Sequence, residues 1–138
     1  MTQKRFKNWK APKILHGKPT KYNWTVLYPE GLILGKYTDI GAYTLIVAKH
    51  GVEIGEDVQI GSHCSLYSYS TIDNKTGKVV LKKNCRIGTH SSVMPGVTVG
   101  ENTIVGAHSF VNKSLPPNVV AAGCPVRILR KISKKPRT

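Results

Sequence analysis

The chain has 138 residues, 40% apolar and only 7% aromatic, with a formal net charge of +14. That length bounds it to one domain. It holds no apolar run long enough to span a bilayer and no signal-peptide core after Met1, so a cytoplasmic chain without a membrane span is expected.

Residues 1–31 form an N-terminal arm or cap. Residues 1–22 carry seven Lys/Arg and no acid, and residues 126–138 carry six and no acid. Between them, residues 23–125 hold eight basic and seven acidic side chains, so the body is nearly neutral. Solvated basic ends account for this distribution; so does a local field that attracts a phosphate-rich small molecule. Nucleic acid is not expected as a partner, because no aromatic–basic interleaving accompanies the charge. His16, within the arm, carries no motif.

From Leu34 onward an aliphatic residue returns every sixth position. The marks run Leu34, Ile40 and Ile46, slip by two, and continue at Ile54, Ile60, Leu66 and Ile72. After a slip of three they resume at Leu81, Ile87, Val93, Val99, Val105 and Val111. All thirteen are Ile, Leu or Val, and glycine follows seven of them. The fourth residue after a mark is mostly small or β-branched, as at Thr44, Val58, Cys64, Ser91 and Ser109. A spacing of six fits neither an amphipathic helix nor an alternating strand. It predicts a parallel β-solenoid in which each hexad is a short strand plus a corner, and three hexads close one triangular coil. Marks and small residues then stack on their equivalents one coil away, at about 4.8 Å. Such coils bury their faces only against each other. The predicted organisation is all-β: arm 1–31, β-helix 32–118, and closing segment with basic tail 119–138. Cys64 and Cys85 read as core residues at the same inward position of successive coils, and Cys124 falls in the closing segment. Three unpatterned cysteines in a cytoplasmic chain predict free thiols.

Three interruptions break the repeat, and insertions in a solenoid become loops on one face. "AKHGVE" (Ala48–Glu53) is two residues over register and holds His50. "TIDNKTGKVV" (Thr71–Val80) is three over register, polar and turn-like. "KSLPPNVVAAGCPVRILRKI" brings Pro116, Pro117 and Pro125, which cannot donate ladder hydrogen bonds and are expected to end the regular coils.

The stretch "GVTVGENTIVGAHSFVNKSLPPNVVAAGCPVRIL" resembles the C-terminal signature of the hexapeptide-repeat acyltransferases, a superfamily that includes galactoside, maltose, serine and nucleotide-sugar acetyltransferases. The resemblance covers about residues 32–131. It implies a left-handed β-helix, a homotrimer, and acetyl-CoA as co-substrate in a groove between subunits, with a sugar or nucleotide-linked sugar as acceptor and no metal. It further implies that backbone groups of Thr89 and Ala107 line the pantetheine arm. Asn112 and Lys113 would meet the nucleotide end, and Arg127 and Arg130 the phosphates. Lysine and arginine suit that role because they offer charge-assisted hydrogen bonds to phosphate.

The catalytic half departs from the family pattern. Galactoside-type enzymes carry a base histidine just after the stretch equivalent to "CSLYSYSTID", where this chain has Tyr69, Ser70 and Thr71. Serine acetyltransferases place theirs about two residues before His50. Two histidines stand as base candidates: His63, read as stacked between Tyr43 and Asn84, where a polar neighbour could fix its tautomer, and His50 in the bulge. His90 and His108, read as sharing a corner with Tyr69, are assigned a structural role. A sugar hydroxyl is a very weak acid and needs a positioned base; an amino sugar need only lose one ammonium proton, and the missing histidine tilts the reading towards an amine. Two other classes compete. A γ-type carbonic anhydrase needs about three converging zinc ligands, but the repeat histidines are spaced 13, 27 and 18 apart. A non-catalytic solenoid binding module would keep the coils without needing coenzyme A.

Overall fold

The structure is a computed structural model that describes residues 6–133; the outermost parts of both basic ends, 1–5 and 134–138, lie outside it. Its strands are two to five residues long, as a six-residue repeat requires when each hexad must also turn a corner. They stack into three parallel faces. The first holds Thr25–Leu27, Leu45–Val47, Ser65–Tyr67, Ser92–Val93 and Phe110–Val111. The second holds Leu32–Leu34, Val52–Ile54, Val79–Leu81 and Thr98–Val99. The third holds Asp39–Ile40, Gln59–Ile60, Arg86–Ile87, Ile104–Val105 and Val119–Ala122. This is the expected all-β, left-handed parallel β-helix. Among the described residues the helical structure is one 3-10 turn, Pro29–Gly31.

The hexad marks build the core. Ile46, Ile54, Leu66, Leu81, Val93, Val99, Val105 and Val111 are fully buried, each in register with its counterpart one coil away, as in Leu66 opposite Val93. Glycine after the mark is required by close approach of the coils. A Cβ on Gly61 would lie 2.7 Å from the Thr89 nitrogen, and one on Gly88 2.5 Å from the Ala107 nitrogen.

Four sequence expectations change here. Ile72 is not a mark: it is 95% exposed. The chain leaves the coil after Tyr67, pairs Tyr69–Ser70 antiparallel with Lys75–Thr76, and returns at Val79. The mark after Leu66 is therefore Leu81, so the insertion is nine residues rather than three. Cys64 and Cys85 are both buried, but in different columns. Cys64 sits behind the third-to-first corner with Thr44, Ser91 and Ser109; Cys85 sits behind the second-to-third corner with Val58 and Thr103. Pro116 and Pro117 occupy a corner and do not end the ladder, since Val119–Ala122 still pairs parallel with Ile104–Val105. The ladder stops when Arg127–Lys131 folds back antiparallel on that strand and covers an edge that would otherwise offer unpaired groups.

The parallel ladder extends beyond residues 32–118 at both ends. In the arm, Thr25–Leu27 pairs with Leu45–Val47, Trp24 is buried in the core cluster, and Trp9 donates from Nε1 to the Thr38 carbonyl at 2.9 Å. The arm thereby caps the open end of the aliphatic core.

Candidate active site

The three corners differ in chemistry although their backbones match. The second-to-third corner is built from Tyr37, Asp57, Asn84, Asn102 and Asn118, all with φ near +60°. Asparagine tolerates this left-handed conformation better than most residues. These side chains also form a ladder: Asn84 Nδ2 donates to Asn102 Oδ1 at 2.8 Å, and Asn102 Nδ2 to Asn118 Oδ1 at 2.9 Å. The third-to-first corner has the same backbone at Asn23, Tyr43, His63, His90 and His108, with φ between 58° and 65°. Asparagine would serve there equally well, yet three coils in succession carry imidazole.

Those imidazoles form one column. Tyr43 and His63 lie 5.1 Å apart, His63 and His90 4.6 Å, and His90 and His108 5.0 Å between ring centroids. The His63 and His90 planes differ by only 6°. The corner sharing read from the sequence is thus corrected: His63 stacks between Tyr43 and His90, not against Asn84, and Tyr69 lies elsewhere. The cause is the miscounted insertion. With nine extra residues in the hairpin, positions 63, 90 and 108 follow the marks Ile60, Ile87 and Val105 of one face. Near-parallel rings direct their nitrogen lone pairs along parallel planes, and no His/Cys/Asp/Glu group among the described residues converges to hold a metal ion.

Buried hydroxyls behind the column stitch it to the next coil. Thr44 Oγ1 donates to the Gly61 carbonyl at 3.0 Å and Ser91 Oγ to the Gly106 carbonyl at 3.2 Å, whereas Ser109 Oγ donates to Gly106 of its own coil at 2.7 Å and accepts the Gly123 N–H of the closing segment at 3.1 Å. Cys64 Sγ donates to the Gly88 carbonyl at 3.2 Å. Burial raises the Cys64 thiol above its ordinary value, although backbone hydrogen bonds from Ser91 and His90 oppose the shift.

One residue before each histidine, Ser62, Thr89 and Ala107 form a second column. Among the described residues, the backbone N–H groups of Ser62, Thr89 and Ala107 donate to no acceptor, and the same is true of Lys83 and Glu101, one residue before Asn84 and Asn102; the histidine corner differs from the asparagine corner in its side chains. Thr89 Oγ1 makes a polar knot, donating to the Ser62 carbonyl at 2.8 Å and lying 2.8 Å from His90 Nδ1 and 3.2 Å from Ser62 Oγ. Beside this corner the third face carries an open groove of about 410 Å³, lined by Gly41, Gly61, Gly88, Asp39, Gln59 and Arg86 among others.

The other candidates are dispersed. His50 is exposed at the first-to-second corner, its ring edge-on to Tyr69 at 5.5 Å. Its backbone N–H donates to Ser68 Oγ at 3.0 Å. Lys49 beside it lies 5.0 Å from the Tyr69 ring and 5.5 Å from that of Tyr28. Asn112 and Lys113 follow Val111 at that same corner, and both are exposed. Arg127 and Arg130 are exposed on the antiparallel closing strand. Within one chain, His63, Thr89 and Ala107 share a corner; His50, Asn112 and Lys113 lie at the opposite edge of the first face. The sequence reading left His63 out of the column of His90 and His108; the spacing of 27 and then 18 gives the shared column once nine residues are assigned to the hairpin.

A parallel β-helix built of hexads, with a hairpin projecting from one coil, defines the class as a hexapeptide-repeat solenoid. The family model "Bacterial transferase hexapeptide (six repeats)" matches residues 78–113. Galactoside O-acetyltransferase of Escherichia coli (strain K12) is 37% identical over 99 residues, 65% of this chain and 49% of that protein. A serine-to-alanine mutant of AntD, an N-acyltransferase from Bacillus cereus solved with dTDP-4-amino-4,6-dideoxyglucose and coenzyme A, superposes with a TM-score of 0.58 at 31% identity, covering 81% of this chain and 72% of that one. A maltose O-acetyltransferase from Clostridium difficile 630 gives a TM-score of 0.73 at 26% identity, covering 81% and 65%. The chain belongs to the hexapeptide-repeat acyltransferase superfamily. It spans about half the length of the curated galactoside enzyme it matches.

Proposed function

We propose that the protein transfers an acetyl group from acetyl-CoA to an amino or hydroxyl group of a sugar or nucleotide-linked sugar. The observation that carries this reading is the column of imidazoles at the third-to-first corner, which runs beside the unpartnered backbone N–H groups of Ser62, Thr89 and Ala107. An elongated chain with amide carbonyls, such as pantetheine, matches donors spaced by about 4.8 Å along a solenoid edge. An imidazole next to them supplies the base that attack on a thioester needs. Transfer is direct in this reading, as the family resemblance implies: Cys64 and Cys85 are buried, burial pushes the Cys85 thiol up to about 12, and the exposed Cys124 is given no part in the reaction.

The assembly belongs to the same proposal. Asn112, Lys113 and the hairpin stand at the far edge of the first face from Thr89 and Ala107. A homotrimer would let one subunit's edge meet another's and complete a groove between them, with Arg127 and Arg130 available for the coenzyme A phosphates. The relatives support both acceptor chemistries: galactoside O-acetyltransferase is named for a sugar hydroxyl, and AntD was solved with an amino-sugar nucleotide. The catalytic candidates of the sequence, His63 and His50, remain part of this reading.

The test is a panel of simple sugars, amino sugars and nucleotide-linked amino sugars offered with labelled acetyl-CoA, beside calorimetry of acetyl-CoA alone. Binding with label moved to a sugar class supports the reading. Absence of acetyl-CoA binding would favour a non-catalytic solenoid module instead.

A further inference from the structure

Hydrogen-bond accounting at Thr89 selects one histidine of the column. The Thr89 hydroxyl has a single proton. Its 2.8 Å contact to the Ser62 carbonyl uses that proton, because a carbonyl oxygen only accepts. Ser62 O also accepts the His90 backbone N–H at 3.1 Å. Thr89 Oγ1 is left as an acceptor towards His90 Nδ1 at 2.8 Å. With the Thr89 proton on that carbonyl, neutral His90 carries its own proton on Nδ1, which leaves Nε2 with a bare lone pair on an exposed ring; the reverse sense, Thr89 donating to Nδ1, is the outcome that the tautomer measurement below distinguishes.

No other histidine is held in that state. The ring nitrogens of His63 and His108 have no hydrogen-bond partner among the described residues; stacking alone holds these rings. His50 meets only the edge of Tyr69. His16 is held in the opposite sense: its Nδ1 accepts the Tyr28 backbone N–H at 2.9 Å, so its neutral form carries the proton on Nε2. A base oriented by a bond to its other nitrogen is a recurrent arrangement for proton transfer.

We propose that His90 is the catalytic residue that accepts the acceptor's proton, and that Thr89 is the positioning residue that fixes its tautomer. This rests on the acetyl-transfer reading above. In the step, Nε2 of His90 takes the proton as the sugar oxygen or nitrogen attacks the thioester carbonyl carbon. The carbon–sulfur bond then breaks, and the departing thiolate takes that proton back from the imidazolium. Sugar and acetyl-CoA become acetylated sugar and free coenzyme A, with His90 restored. Thr89 thus serves the site twice, with its backbone N–H towards the cofactor arm and its hydroxyl towards the base.

Two measurements on the full-length protein test this. Ring-nitrogen NMR of histidine-labelled protein without ligand should show His90 protonated on Nδ1 and bare on Nε2 when neutral; the opposite tautomer overturns the proposal. In the turnover assay, with the best acceptor of the panel, His90→Ala and His90→Gln should lower kcat on the order of 10²–10⁴-fold, with acetyl-CoA affinity kept. Thr89→Val should lower kcat and disperse the His90 tautomer signal, and Thr89→Ser should restore both relative to Thr89→Val. If His90→Ala keeps wild-type kcat while His63→Ala or His50→Ala loses it, His90 is overturned and acetyl transfer stands. A wild-type protein that binds no acetyl-CoA and acetylates no member of the panel overturns both.

Discussion

At the scale of single residues, environment decides what each copy of a residue type does. The three cysteines illustrate it. Cys85 is buried on the second-to-third side and held at about 12 by desolvation; Cys64 is raised for the same reason; Cys124 is exposed beside the turn that closes the solenoid. Only a thiolate is a good nucleophile. Iodoacetamide at neutral pH should therefore modify one thiol per folded chain, Cys124, and all three after denaturation, read by peptide mass. The aliphatic marks divide in the same way. Leu66→Ala should cost about 2–5 kcal/mol in chemical denaturation, because it opens a cavity in a stacked core. Ile72→Ser should leave single-chain stability nearly unchanged, since that side chain stands in solvent.

At the scale of elements, the coils were legible and the hairpin was not. A solenoid repeats one local solution, so the unbroken spacing of six from Leu81 to Val111 places Ile87 and Val105 on one face, as it places Ile40 and Ile60 before the hairpin once the two-residue slip is allowed. The segment from Ser68 to Lys78 breaks the repeat, and Ile72 happened to fall six residues after Leu66, which disguised a projecting hairpin as one more hexad. That single misplacement rotated every later hexad by one face relative to the earlier ones, moved His63 off its column, and paired Cys64 with the wrong neighbours. Tautomers were out of reach of spacing altogether, because they depend on which oxygen Thr89 meets. The hairpin also carries a testable charge effect. A hydrogen bond from Ser70, with a smaller contribution from Lys75, lowers the Asp73 carboxyl below its ordinary value. A depressed folded value means that this group stabilises the hairpin above the unfolded carboxylate range and ceases to do so as pH falls through the folded value. Protection factors at Ser70–Thr76, taken relative to the intrinsic exchange rate at each pH, should fall as pH drops below the ordinary carboxylate range in the wild type, and Asp73→Asn should remove most of that pH dependence.

At the scale of the whole molecule, the near-neutral coils and basic ends suggest a division of labour. The stacked core supplies rigidity, and the charge sits on the closing strand and arm. If Arg130 meets a coenzyme A phosphate, Arg130→Ala should weaken acetyl-CoA binding by about 1.5–3 kcal/mol, with a larger loss at low salt because exposed charges are screened as ionic strength rises. Equal affinity at every ionic strength would reduce the arginines to a solvated end. Light scattering should report a trimer at micromolar concentration; a stable monomer would leave the hairpin edge and the histidine corner on one chain without a shared groove.

The central claim is that the histidine corner holds acetyl-CoA, and a titration followed by amide NMR addresses it most directly. On adding acetyl-CoA to the full-length protein, the backbone N–H resonances of Thr89 and Ala107 should shift together and saturate with the calorimetric affinity. The N–H resonances of Asn84 and Asn102, on the asparagine corner, should stay in place. Saturation with Thr89 and Ala107 unmoved, and the shifts confined to the basic ends or the asparagine corner, would contradict the account.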